Sequence, residues 1–216
     1  MSKEYNQYKE LLGQKRFGEA ARFAEQAHLE GNPGNPFWLT RQAAALTRAG
    51  EFGQALTVSE QALAIAPANP YALLCMAEAL SGLRRYKEAL EFYESIVAEA
   101  NDKVATVARN GMLACLAELR SWDRILEQIG IWQLPPNRVY RWRVKALEGQ
   151  NRTGEAIDIC HHWLKDNPDH PPAARGISVY QTPSTFRSSR HMNSPFASEK
   201  DSSPLARALR ISWIAF

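Results

Sequence analysis

The stretch Gly50–Pro70, GEFGQALTVSEQALAIAPANP, decides the fold. It opens on Gly-Glu-aromatic, places Ala55 three residues after Phe52 and Ala62 seven further on, and closes on Ala-Pro and Asn-Pro. Arg84–Ala98, RRYKEALEFYESIVA, and Asn151–Pro168, NRTGEAIDICHHWLKDNP, follow the same scheme. Working outward, five equivalent positions emerge: Ala20, Ala55, Ala89, Ile125 and Ala156, with gaps of 35, 34, 36 and 31 residues. An aromatic precedes the first four by three residues (Phe17, Phe52, Tyr86, Trp122), and Thr153 stands there in the fifth. Self-similarity at such a period marks a stack of small units, each unable to bury its apolar surface alone.

Within a unit the apolar spacing is helical. Leu39, Ala43 and Leu46 share one face, as do Leu73, Ala77 and Leu80, and Tyr140, Val144 and Leu147. A second set follows a short break: Ala55, Val58, Ala62 and Ile65, then Ala89, Phe92, Ile96 and Val97. Steps of three and four put these side chains on one stripe. The breaks are AGEF, LRRY and LRSW, so each unit reads as helix, tight turn, helix. Alanines facing one another let the paired helices approach closely. Pro36 and Pro70 suit a first helical turn, where no intrahelical N–H bond is lost.

These residues resemble the tetratricopeptide repeat, whose pattern runs W-x2-L-G-x2-Y, then A-x3-F, then P. The second unit supplies Leu39, Gln42, Ala43, Leu46, Ala55, Ser59 and Pro67; the third Leu73, Met76, Ala77, Leu80, Ala89, Tyr93 and Asn101; the fifth Tyr140, Arg143, Val144, Leu147, Ala156, Cys160 and Pro168. The fourth departs most, with Ile125 and Ile129 at small positions and GIWQLPP shortening its second helix. The resemblance covers about residues 2–170 and implies an all-α, right-handed α-solenoid of about five helix-turn-helix repeats. The expected units are 1–34, 35–69, 70–103, 104–136 and 137–170. Beyond them, 171–182 reads as the start of a sixth repeat, 183–202 as a flexible Ser/Pro/Arg-rich linker, and 203–216 as a short amphipathic helix. In that last segment Ser203 caps, Pro204 opens, and Leu205, Leu209, Trp213 and Phe216 form one stripe. The stripe suits a cap on the last repeat or an attachment segment. A sixth repeat that starts and fails is also what a shortened version of a longer protein would show.

Composition narrows function by exclusion. The 216 residues are 45% hydrophobic and 23% charged, as in globular proteins. No run approaches a membrane span, and the opening MSKEYNQYKE lacks the apolar core of a secretory signal, so a cytoplasmic protein is expected. The formal charge of +3 resides in residues 176–216, and the neutral remainder argues against nucleic-acid binding. Cys75, Cys115 and Cys160 each fall in a helical apolar pattern and read as buried free thiols of a reduced compartment. His161 and His162 are adjacent on a helix, about 100° apart, a poor arrangement for chelating one ion. Glu88, Glu91 and Glu94 read as a solvated face. No phosphate loop, nucleophile elbow or His-Glu-x-x-His run is present, so neither cofactor, metal nor catalysis is expected.

The resemblance implies that the first helix of each unit lines a concave groove for a partner peptide or helix. Side chains there outside the packing stripe are Phe37, Thr40, Ala44, Thr47 and Arg48; Tyr71, Leu74, Glu78 and Ser81; Asn110, Ala114 and Glu118; and Arg138, Arg141 and Lys145. The last three form a basic ridge at spacings of three and four, suited to a carboxylate. The Lys and Asn clamp by which some family members hold a C-terminal carboxylate is not reproduced, since Thr40, Ala44, Leu74 and Glu78 hold the matching places. The expected ligand has an apolar part near Phe37, Tyr71 and Leu74 and an acidic part near the ridge. The expected function is a non-catalytic protein-interaction scaffold. The alternatives are a recognition arm of a larger modifying enzyme, such as a glycosyltransferase, and a secretion-type chaperone.

Overall fold

The computed structural model describes residues 3–99, 102–132 and 136–166. Among the described residues there are ten helices and no strand: α1 Lys3–Gly13, α2 Phe17–Glu30, α3 Phe37–Ala49, α4 Phe52–Ile65, α5 Pro70–Gly82, α6 Tyr86–Glu99, α7 Asp102–Glu118, α8 Trp122–Trp132, α9 Pro136–Gly149 and α10 Thr153–Asp166. Taken in pairs they make five helix-turn-helix units, the all-α repeat class implied by the sequence. The readings of 171–182, 183–202 and 203–216 fall outside the described residues. Two compact units divide the chain, the first ending at Cys115 and the second beginning at Leu116.

The turn inside each repeat is built the same way five times. One residue takes a left-handed backbone: Lys15 (φ 58°), Gly50 (87°), Arg84 (62°), Arg120 (54°) and Asn151 (60°). The N–H of the following residue returns to a leucine carbonyl five positions back, Arg16 to Leu11, Glu51 to Leu46, Arg85 to Leu80, Ser121 to Leu116 and Arg152 to Leu147, at 2.9–3.0 Å. This closure satisfies carbonyls that a helix end would leave orphaned. The donor residue's own carbonyl then accepts from Ala20, Ala55, Ala89, Ile125 or Ala156, starting the second helix. The five positions of the sequence repeat are thus the first residues whose N–H closes a turn of each second helix. In three repeats an arginine at that start pairs with a glutamate three residues on: Arg16–Glu19, Arg85–Glu88 and Arg152–Glu155, each at 2.6 Å. The hydrogen bonds from arginine hold these exposed carboxyls below their ordinary range.

In the first unit the close approach falls on alanines. Ala20, Ala43, Ala55, Ala77 and Ala89 are wholly buried, with Leu39, Leu46 and Leu80 beside them. Each such leucine contributes about 1.5–3 kcal/mol by leaving water. The first repeat departs from the rule: Tyr8 occupies the place held by Ala43 and Ala77 in the next two, is 2% exposed, and donates its hydroxyl to the Arg41 carbonyl at 2.7 Å. Trp38 meets Tyr8 and Phe23 edge-on, both with centroids 6.0 Å away. In the third repeat the buried Tyr93 ring lies against the backbone of α7 at Gly111, where an added Cβ would fall 2.4 Å from the ring. One repeat earlier the equivalent places hold Ser59 and Cys75, a smaller and a larger side chain. Asn69 caps α5, accepting from the N–H groups of Tyr71 and Ala72, with Pro70 at the first helical position. Pro36 stands one residue ahead of α3.

The second unit has its own core of Tyr140, Val144, Leu147, Ala156 and Cys160. Tyr140 stacks on Trp163 with centroids 4.9 Å apart. Ile125 and Ile129 are buried, and α8 has 11 residues against 14 in α2, α4, α6 and α10. All three cysteines are free and buried.

Candidate binding face

In the first unit the first helices of successive repeats lie beside one another. Ring contacts join α1 to α3, the Cys75 thiol of α5 donates to the Thr40 carbonyl of α3 at 3.5 Å, and Ser81 of α5 meets Cys115 of α7 at 3.1 Å. The most distinctive feature of this face is Arg41. Its guanidinium carbon lies 4.9 Å from the Phe37 ring centroid, 5.6 Å from that of Tyr5 and 5.9 Å from that of Tyr71. Three first helices therefore supply rings to one cation. Phe37 and Tyr5 meet edge-on at 5.7 Å. The backbone beneath is pinned from both sides, at Arg41 by Tyr8 and at Thr40 by Cys75. The Nε of Arg41 is buried and has no hydrogen-bond partner. Among the described residues Arg41 makes no ion pair.

The residues singled out from the sequence distribute as follows. Phe37 is 36% exposed, and Tyr71 is partly buried beneath Arg41. Thr40 is buried, and its hydroxyl donates to the Phe37 carbonyl at 2.7 Å. Leu74 and Glu78 are buried at 3% and 2% exposure. Arg48 is partly buried; burial lowers its pKa, while the attraction of Glu78 opposes that shift. Asn110 is partly buried on α7. In the second unit Arg141 is exposed and Lys145 partly buried. Burial pushes the Lys145 ammonium down, against the attraction of Glu118 and Glu148, and it lies 5.7 Å from the Trp142 ring centroid. Arg138 belongs to α9, and its side chain lies outside the described residues.

Arg41, Tyr5 and Tyr8 were not singled out by the sequence. Tyr5 was within reach of the repeat register, since it holds in the first repeat the place of Thr40 and Leu74. Arg41 lies on the face named for α3, four residues after Phe37 and seven before Arg48, yet only its three aromatic neighbours distinguish it from any other arginine there.

Other features offer less. A cleft of about 500 Å³ beside α1 and α2 is lined by Gln7, Glu10, Gln14, Arg16, Glu19 and others. Its polar groups already engage one another, Arg16 with Glu19 and Gln14 and Gln14 with Glu10. Among the described residues no group of three or more His, Cys, Asp or Glu could hold a metal ion. No described helix is long and apolar enough to cross a membrane.

Comparison with known proteins agrees with this architecture. The family model described as tetratricopeptide repeat matches residues 46–109. A tetratricopeptide repeat protein from Parabacteroides merdae superposes with a TM-score of 0.64 at 15% identity, covering 82% of this chain and 70% of that one. YrrB, described as a TPR protein with an unusual peptide-binding site, superposes with a TM-score of 0.60 at 19% identity, covering 79% and 88%. Curated proteins gave no match.

Proposed function

We propose that this chain, a tetratricopeptide-repeat protein, is a non-catalytic interaction module that holds a segment of a partner protein on the face of its first helices. The observation that carries the reading is the Arg41 cluster. Three aromatic rings from three first helices gather around one cation, and Phe37 keeps a third of its surface exposed. The peptide-binding site named for YrrB, a protein of similar fold, supports a peptide as ligand. Three buried free thiols suit the reducing cytoplasm, where we place the protein.

A photo-crosslinking amino acid introduced at Phe37 tests the reading in lysate of the native cell. The control position is Glu60, exposed on the second helix α4. Adducts with a partner protein are expected at position 37 and not at 60. No adduct at 37, or equal adducts at both, would count against it.

A further inference from the structure

The chemistry of Arg41 narrows what the face would take, given the reading above. Contact with ring faces fixes a guanidinium in place without consuming its N–H donors. The backbone under it is held by two neighbouring helices, through Tyr8 and Cys75, so little further ordering is needed when a ligand arrives. The surroundings are cationic as well. Lys9 lies 5.9 Å from the Tyr5 ring centroid, and Arg48 stands seven residues after Arg41, two turns along the same side of α3. Among Lys9, Arg41, Arg48 and Glu78 positive charges exceed negative by two. Beside the cation lies the exposed part of Phe37, an apolar surface in contact with the charge.

We infer that Arg41 seats an aspartate or glutamate side chain of the partner segment, with an adjacent large apolar side chain resting on Phe37. The acidic residue is thereby placed in the first unit, at the apolar front of the face. A carboxylate accepts paired N–H donors from a guanidinium in a planar fork, and the rings beside it exclude water and strengthen the contact. An amide or hydroxyl cannot replace the charge at this seat, and a basic segment would be repelled.

Panning the full chain against a library of random dodecapeptides, displayed with their C-termini fused, tests the inference. Fusion removes the free carboxylate, so only acidic side chains can fill the seat. Recovered peptides should carry Asp or Glu within two residues of Leu, Ile, Phe or Trp. Replacing that acid by its amide in a synthetic peptide should weaken binding by about ten- to a hundredfold. Arg41→Gln should give a loss of the same order, Arg41→Lys a smaller one, and each loss should shrink as salt rises. The peptide substitution uses the unaltered protein and so is independent of folding. If recovered peptides lack acids, need a free C-terminus in a second library, or bind Arg41→Gln as well as wild type, the inference falls and the interaction module stands. If no peptide binds in either library, both fall.

Discussion

The five left-handed turn residues give the repeat a reciprocal test. An L-residue with a Cβ costs roughly 1–2 kcal/mol in this backbone region, and glycine avoids most of that cost. Only one of the five turns has used glycine, at Gly50. Arg84 at φ 62°, Lys15 at 58° and Arg120 at 54° carry the strain. Replacing each by glycine removes it, less the extra freedom glycine gives the unfolded chain, for a net gain of about 0.5–1 kcal/mol. Asn151 should gain least, because asparagine tolerates this region better. Gly50→Ala should move the other way by about 1 kcal/mol. No atom lies within 4 Å of where its Cβ would go, so the loss is conformational and not a collision. Urea denaturation of the full chain followed by far-UV circular dichroism is the assay. With a slope of about 2 kcal/mol per molar urea, the midpoint should rise by about 0.3–0.5 M for Arg84→Gly and fall by about 0.5 M for Gly50→Ala. A neutral or stabilising Gly50→Ala, or a destabilising Arg84→Gly, would refute the common turn.

Three further outcomes are expected. Gly111→Ala should destabilise by about 1–3 kcal/mol, since the Tyr93 ring it meets is 1% exposed and cannot swing into solvent; an unchanged urea midpoint would contradict that packing. A thiol-reactive chromogen at pH 8 should leave Cys75, Cys115 and Cys160 unmodified in the folded chain and modify all three in denaturant. All three are buried, and burial raises the Cys75 and Cys160 thiols. Stability should decline in acid, because Glu19, Glu88 and Glu155 titrate below their ordinary value of 4.5 when paired with arginine. Their contribution is present above that value and lost as pH falls through the lower folded-state values. The triple variant Glu19→Gln, Glu88→Gln, Glu155→Gln should therefore show a shallower decline between pH 5 and 3 than wild type, in about that window; an identical decline would dismiss the pairs.

What the sequence made legible is what local periodicity controls. The spacing of Ala20, Ala55, Ala89, Ile125 and Ala156 is also the spacing of the five turns, because each of these residues follows its left-handed residue by five. The turn geometry itself was hidden, since lysine, arginine and asparagine fill four places where glycine would have announced it. Glu78 was read as a groove side chain, and its burial was not legible: it is 2% exposed and acts on Arg48. Tyr8 broke the small-residue rule: a buried ring stands where the next two repeats hold Ala43 and Ala77. Its hydroxyl bond to a carbonyl 33 residues away lies beyond any local pattern. Arg41 was missed for the same reason. Its meaning depends on Tyr5, Phe37 and Tyr71 arriving from three helices, a convergence that only the packing of successive repeats brings about.

Amide hydrogen exchange of the full chain, with and without a peptide recovered by panning, tests the central claim most directly. Slowed exchange concentrated in α1, α3 and α5 is the expected result. Slowing confined to the second helices α2, α4 and α6 would contradict it.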